Sequence, residues 1–174
     1  MSEQLNSYYT LRDEIDSYVN YLSDEHSNHM VCKKGCDLCC LDFDVFPVEF
    51  EAIKKQIEKE YPEVLNQKIQ EGNKGTCAYL KNHVCTIYNA RPIICRTHGF
   101  PLVNMNEAGD QWELSFCHLN FTDVDDEYFD DENIFEQDTY NSKLYLINKE
   151  YLEENPQLNY SEKDLVPLKS LLEK

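Results

Sequence analysis

Four thiols crowd into nine residues of this chain: Cys32-Lys33-Lys34-Gly35-Cys36-Asp37-Leu38-Cys39-Cys40. Thiolate sulfur is a soft donor, suited to zinc, to iron and to iron–sulfur clusters. A loop this tight lets several thiolates converge, and Gly35 frees the backbone to curl. Four small buried hydrophobes falling together by chance account poorly for the pattern. The C-x2-C spacing of Cys36 and Cys39 lets two thiolates grip one ion from a single turn. Cys39 and Cys40 are adjacent, and neighbouring side chains on an extended backbone point in different directions. One of the two is expected to bind a first centre while the other binds a second centre or stays free.

Four more thiols follow at Cys77, Cys85, Cys95 and Cys117. Cys77-Ala78-Tyr79-Leu80 and Val84-Cys85-Thr86-Ile87-Tyr88 are short apolar runs around the polar Lys81-Asn82-His83. That pattern predicts a β-hairpin with Cys77 and Cys85 near each other at its base. Cys32, Cys36, Cys39, Cys40, Cys77, Cys85, Cys95 and Cys117 are all candidate metal ligands. A zinc or iron–sulfur centre usually takes four protein ligands. Eight thiols therefore allow one centre with spare cysteines, two centres, or one multinuclear centre. Cys36, Cys39, Cys85 and Cys95 rank highest as direct ligands. For Cys95 the reason is the partial positive charge at the start of a short helix opened by Pro92, which favours a thiolate.

Other residues of the cysteine segments read more plainly. His98 and His118 flank the later cysteines, but with eight thiols neither is needed as a ligand. His26, His29 and His83 fall in predicted loops. Arg91 and Arg96, two of only three arginines, read as structural ion pairs near the thiolates. Tyr88 reads as core packing with a hydrogen-bonded hydroxyl.

The rest of the chain must position these groups. It has 174 residues, the size of one ordinary domain, and a net charge of −17. An acidic balance of this size excludes a general nucleic-acid binder, which needs a basic face. No apolar run approaches a membrane span of about 18 residues, and the N-terminus lacks the pattern of a secretory signal. The expected location is the cytosol, where clustered cysteines serve metals or redox chemistry rather than disulfides. Charge is uneven: residues 1–30 carry −5, residues 31–122 carry −2 and residues 123–174 carry −10. All eight cysteines fall in the nearly neutral middle, which predicts a cysteine-bearing core, 32–117, wrapped by acidic flanks. The densest acidic stretch, 123–138, lacks the ligand pattern of an EF-hand and reads as solvated surface.

Leu5, Tyr8, Leu11, Ile15, Val19 and Leu22 recur at spacings of three and four and predict a helix over 4–24. Pro47 opens a second helix, with Phe50, Ile53 and Ile57 on one face, that stops near Tyr61-Pro62. Val64, Leu65 and Ile69 suggest a short third helix ending in the loop at 71–75. Residues 112–116 predict a strand. Tyr140, Leu144, Ile147 and Tyr151 predict another helix within a mostly helical region, 123–174, and Ser161 begins a final helical stretch. The fold class is α+β: a small, mostly helical single domain with a short β-hairpin, organised around a cysteine-bound metal centre.

The run Cys32-x3-Cys36-x2-Cys39-Cys40 resembles the cysteine cluster of the YkgJ-type, or CxxCxxCC, family, proteins known for presumed zinc or iron chelation. Cys77-x7-Cys85-Thr86-Ile87-Tyr88-x2-Arg91-Pro92-x2-Cys95-Arg96 resembles the family's second signature. The likeness covers 32–98 and extends to Cys117, with one extra residue between the first two cysteines. It implies a protein that holds zinc or iron, mononuclear or as an iron–sulfur cluster, with the metal ion as partner. The family is similar to the cysteine-rich part of flagellin lysine methylases, which implies one alternative, a small metal- or iron–sulfur-dependent enzyme acting on a protein side chain. A further alternative is a metal carrier, which would bind exchangeably through an exposed thiol cluster. No protein partner is identifiable from the sequence. The spacing of Cys32, Cys36 and Cys39 also matches radical S-adenosylmethionine enzymes, but the chain is short for their barrel and has no Gly-Gly pair.

Overall fold

The computed structural model describes residues 2–67 and 75–173. Its longest element is α1, Glu3–Glu25, opened by Ser2, whose hydroxyl accepts the Leu5 N–H at 3.4 Å. Leu5, Tyr8, Leu11, Ile15, Val19 and Leu22 are all buried, so the apolar stripe predicted from spacing is the packed face. β1, Asp44–Val45, leads into α2, Pro47–Glu60, with proline in its first turn. The cap residue Phe46 offers no side-chain acceptor to α2. The buried Asn148 supplies one instead, its Oδ1 accepting the Val48 N–H at 3.2 Å. α2 ends before Pro62 and is followed by a single 3-10 turn, Pro62–Asn66, where a short helix was expected. Ile69 and most of the loop expected at 71–75 lie outside the described residues.

β2, Leu80–Lys81, and β3, Val84–Cys85, form the predicted hairpin, with Leu80 opposite Cys85. Its turn residues Asn82 and His83 have φ of 51° and 61°, the left-handed pair that a two-residue hairpin turn demands. α3, Ile93–Thr97, is a five-residue helix capped by Pro92. β4, Leu102–Met105, pairs antiparallel with β5, Trp112–Ser115, and parallel with β6, Phe135–Glu136. α4, Gln137–Glu154, then packs on α1 and α2. The final helical stretch expected from Ser161 does not form. Residues Val166–Pro167 make β7, antiparallel to β1, and Leu168–Leu172 a 3-10 turn. Pro167 suits a strand edge and breaks an α-helix, which decides the outcome.

Two apolar clusters carry the packing. One joins α1, α2 and α4 with Ile93, Phe100 and Phe135. The other joins Val45, Ile53, Ile57 and Val64 to Tyr79, Ile87, Ala90, Leu168 and Leu172. The acidic flanks thus build much of the core instead of wrapping it, because their apolar stripes are long enough to bury one another. The 32–40 loop lies on the surface beside that core.

Candidate metal centre

The cysteine loop is folded by its own main chain. Cys36 N–H donates to Lys33 O at 2.9 Å across Gly35, whose φ is +98°. Cys40 N–H donates to Asp37 O at 3.0 Å, and Leu41 N–H to Cys39 O at 3.1 Å, which puts a three-residue turn at Cys40. His83, at the hairpin tip, holds Asp37 at 2.8 Å. Cys32, Cys36 and Cys39 are exposed, and the other five thiols are half-buried. All eight are free.

The loop is joined to the later cysteines at two places. On one side Asn120, 1% exposed, works as a staple. Its Oδ1 accepts the Val31 N–H at 3.0 Å, and its Nδ2 donates to Gly99 O at 2.8 Å and lies 3.3 Å from Cys32 Sγ. Its backbone N–H donates to Cys117 O at 2.8 Å, so one residue, through its side chain and its main chain, ties Cys32 to the Cys117 turn. Gly99 completes the cradle: with φ of +95°, any Cβ there would stand 3.0 Å from Cys32 Sγ. On the other side Cys77 N–H donates to Cys40 O at 3.0 Å, next to a bridge between Leu41 and Thr76. The Ala78 N–H is taken by Asp42 Oδ1 at 3.0 Å. Leu80 N–H returns to Cys77 O at 3.0 Å while Leu80 pairs with Cys85, which sets Cys77 beside Cys85 as expected.

Electrostatics follow the same two groupings. Burial pushes the Cys39 thiol up, and neighbouring Cys32, Cys36 and Cys117 push it further. Cys32 is raised by burial and by Cys117 and Cys36, against an opposing hydrogen bond from Asn120. Cys40 is pushed up to about 12 by burial, its chain neighbour Cys39, Cys77 and Cys85. Cys95 is raised by burial, then by Cys77 and Cys85, with Glu49 and Cys40 adding to it. The thiolate-favouring helix start expected at Cys95 is therefore overridden: α3 has only five residues, and burial among thiols wins. Cys85 is also raised by burial, while Arg91 opposes the shift. The charges that bear on Cys39 are those of Cys32, Cys36 and Cys117, and those that bear on Cys95 include Cys77, Cys85 and Cys40.

Arg96 is structural, as expected. Its side chain is 3% exposed and pairs with Asp16 at 2.5 Å, and its other donors go to Arg91 O and Asn89 O. Arg91 makes no carboxylate pair in the described contacts and lies over the Tyr88 ring at 3.9 Å. Tyr88 itself is 59% exposed, so its assignment to the core is wrong: the ring shelters Arg91 instead. His118 is exposed, and the buried His98 Nδ1 has no hydrogen-bond partner among the described residues. His26 is buried, bound to Tyr128 OH and Asn133 O, and His29 pairs with Asp123.

Sequence reasoning missed Asn120 and Glu49. Nothing local marks Asn120, because its partners are distant in the chain. Glu49 was readable, since a carboxylate at the start of the Glu49, Ile53, Ile57 row breaks an apolar helix face. It accepts from Tyr8 OH at 3.0 Å and from the Ile93 N–H at 2.7 Å, beneath the helix that carries Cys95.

Among the described residues, no group of three or more His, Cys, Asp or Glu side chains is drawn together tightly enough to hold an ion as it stands. The donor set nevertheless fits a thiophilic metal by its chemistry: eight free thiols, with Gly99 clearing space over Cys32. A family model, CxxCxxCC, described as "Putative zinc- or iron-chelating domain", matches residues 31–118, about half of the chain. No curated protein and no solved structure matches it.

Proposed function

The chain belongs to the CxxCxxCC family of chelating domains, and from that premise we propose that it takes up zinc or iron through Cys32, Cys36, Cys39, Cys40, Cys77, Cys85, Cys95 and Cys117. The observation that carries this reading is the return of the chain to the 32–40 loop from both sides, at Cys77 and at Cys117. A bound metal would supply a multiply charged centre that holds these segments to one another. The chain's own residues supply thiolates, release their protons as metal enters, and set the surrounding charge through Arg91. Eight free thiols suit a reducing compartment. Among the described residues no helix is long and apolar enough to cross a membrane.

Anaerobic purification followed by metal and sulfide analysis tests the reading. Stoichiometric zinc in a colourless sample supports a thiolate zinc protein. Brown colour with iron and acid-labile sulfide supports a cluster. A chain that holds neither metal, as purified or after loading, defeats the reading. A second reading, a metal carrier, is favoured by the exposure of Cys32, Cys36 and Cys39, because exchange with another protein needs accessible ligands. Transfer of bound zinc to a competing apo-protein faster than spontaneous release would separate the carrier from a purely structural site.

A further inference from the structure

The exposed loop and the half-buried hairpin part company at one peptide bond, between Cys39 and Cys40. We propose that the eight cysteines form two separate four-thiolate centres: an outer one of Cys32, Cys36, Cys39 and Cys117, and an inner one of Cys40, Cys77, Cys85 and Cys95. The proposal rests on the metal-binding reading above and deepens it.

The main chain makes the division. The three-residue turn at Cys40, closed by Leu41 N–H on Cys39 O, reverses direction between the two adjacent cysteines. The carbonyl of Cys40 then receives the Cys77 N–H, which draws Cys40 toward the hairpin. The hairpin register brings Cys85 next to Cys77. On the far side, Asn120 holds Cys32 and the Cys117 turn together, and Gly99 keeps backbone rather than side chain against Cys32 Sγ. Cys36 and Cys39 share the short loop that begins at Cys32, and Cys95 follows the hairpin in α3, ten residues after Cys85.

The chemistry fits two centres better than one. Zinc and iron–sulfur centres each saturate at four protein thiolates, so eight thiols in two seats leave none spare. Four thiolates around a divalent ion carry net negative charge. Each seat has a cation near it in sequence: Arg91 lies four residues before Cys95 of the inner set, and Lys33 and Lys34 lie in the loop of the outer set. An adjacent Cys-Cys pair, awkward for a single tetrahedral ion, is what a boundary between two such seats requires.

The test uses the full chain loaded with zinc. Metal is withdrawn stepwise with a chelator, free thiols are labelled with N-ethylmaleimide, and labelled peptides are mapped by mass. Two ions per chain are expected, with two phases of labelling. Cys32, Cys36, Cys39 and Cys117 should label together, and Cys40, Cys77, Cys85 and Cys95 together in the other phase. Exposure alone would not give this result, because Cys117 is half-buried like the inner four. Joint labelling of Cys39 and Cys40, or of Cys117 with the inner four, overturns the division. A chain that binds one ion, lost from all eight thiols at once, overturns the division and leaves the metal reading standing. A chain that binds no metal overturns both. The double variant Cys36→Ser with Cys117→Ser should keep one ion and full protection of the inner four. Should that variant fail to fold, the wild-type labelling order still decides.

Discussion

The outer and inner thiol groups are made of the same atoms and differ in what supports them. The outer group stands on loops: three of its thiols are exposed, and one asparagine closes it. The inner group stands on paired strands and a short helix, with Tyr79, Ile87 and Ala90 of the second apolar cluster close by in sequence. Tyr79 is fully buried and donates its hydroxyl to Leu168 O at 2.8 Å, so the hairpin is bolted to the C-terminal turn. The contrast teaches that ligand type is a property of sequence, whereas ligand exchangeability is a property of the scaffold. A thiol on a packed scaffold is released only when the scaffold opens, while one on a loop is released by loop motion alone.

The largest effect should come from Arg96, which fixes the helix carrying Cys95. Arg96→Met leaves Asp16 unpaired and orphans the carbonyls of Asn89 and Arg91. With Asp16 about a third exposed, the cost comes mainly from the two orphaned carbonyls, about 2–3 kcal/mol in urea unfolding, and inner metal retention should weaken first. Next is Asn120→Ala, which strands the Val31 N–H and Gly99 O. A loss of about 1 kcal/mol follows from losing hydrogen bonds at a half-buried site, and metal analysis should show the outer ion lost and the inner one kept. Loss of both ions with the fold intact would erase the contrast between the groups.

A smaller effect is expected for Gly99→Ala. The positive φ costs about 1 kcal/mol in a residue with a Cβ, and the new methyl meets Cys32 Sγ at 3.0 Å. Zinc affinity at the outer group should fall while thermal stability changes little. The smallest effect concerns Glu49, whose carboxyl is pushed up by burial against the Ile93 N–H, Tyr8 and Arg96. Because its folded pKa lies above its unfolded one, the native state binds the extra proton. This group therefore lowers stability as pH rises from the usual carboxylate range through the folded value. Urea midpoints of Glu49→Gln should be flatter with pH over that window than those of the natural chain. Identical slopes would show that Glu49 does not titrate there.

The helices were legible because each carries its evidence locally. The stripe from Leu5 to Leu22 and the proline at 47 need no distant partner to be read. The hairpin was legible for the same reason. β4 and β7 were not, since a four-residue or two-residue strand is defined by its partner, and those partners lie elsewhere in the chain. The site divides in the same way. Eight thiols announced their chemistry by type and spacing, but which thiols share a seat depends on Asn120 and on the Cys77–Cys40 bond, both long-range. Tyr88 misled because an aromatic beside a cysteine motif looks like core, whereas here it serves an arginine at the surface.

The pairing of β1 with β7 sets a clock. Asp44 meets Pro167 and the Leu168 N–H reaches Phe43 O at 3.1 Å, so this clasp joins segments more than a hundred residues apart. Contacts of such separation form late, because the intervening loop must be closed first. A ribosome adding about 5–20 residues per second delivers Cys117, the last thiol, several seconds before Val166. During that interval every cysteine has been made and the strand that locks the hairpin's neighbourhood has not. The nascent chain therefore meets the metal pool with its thiols complete and its clasp open.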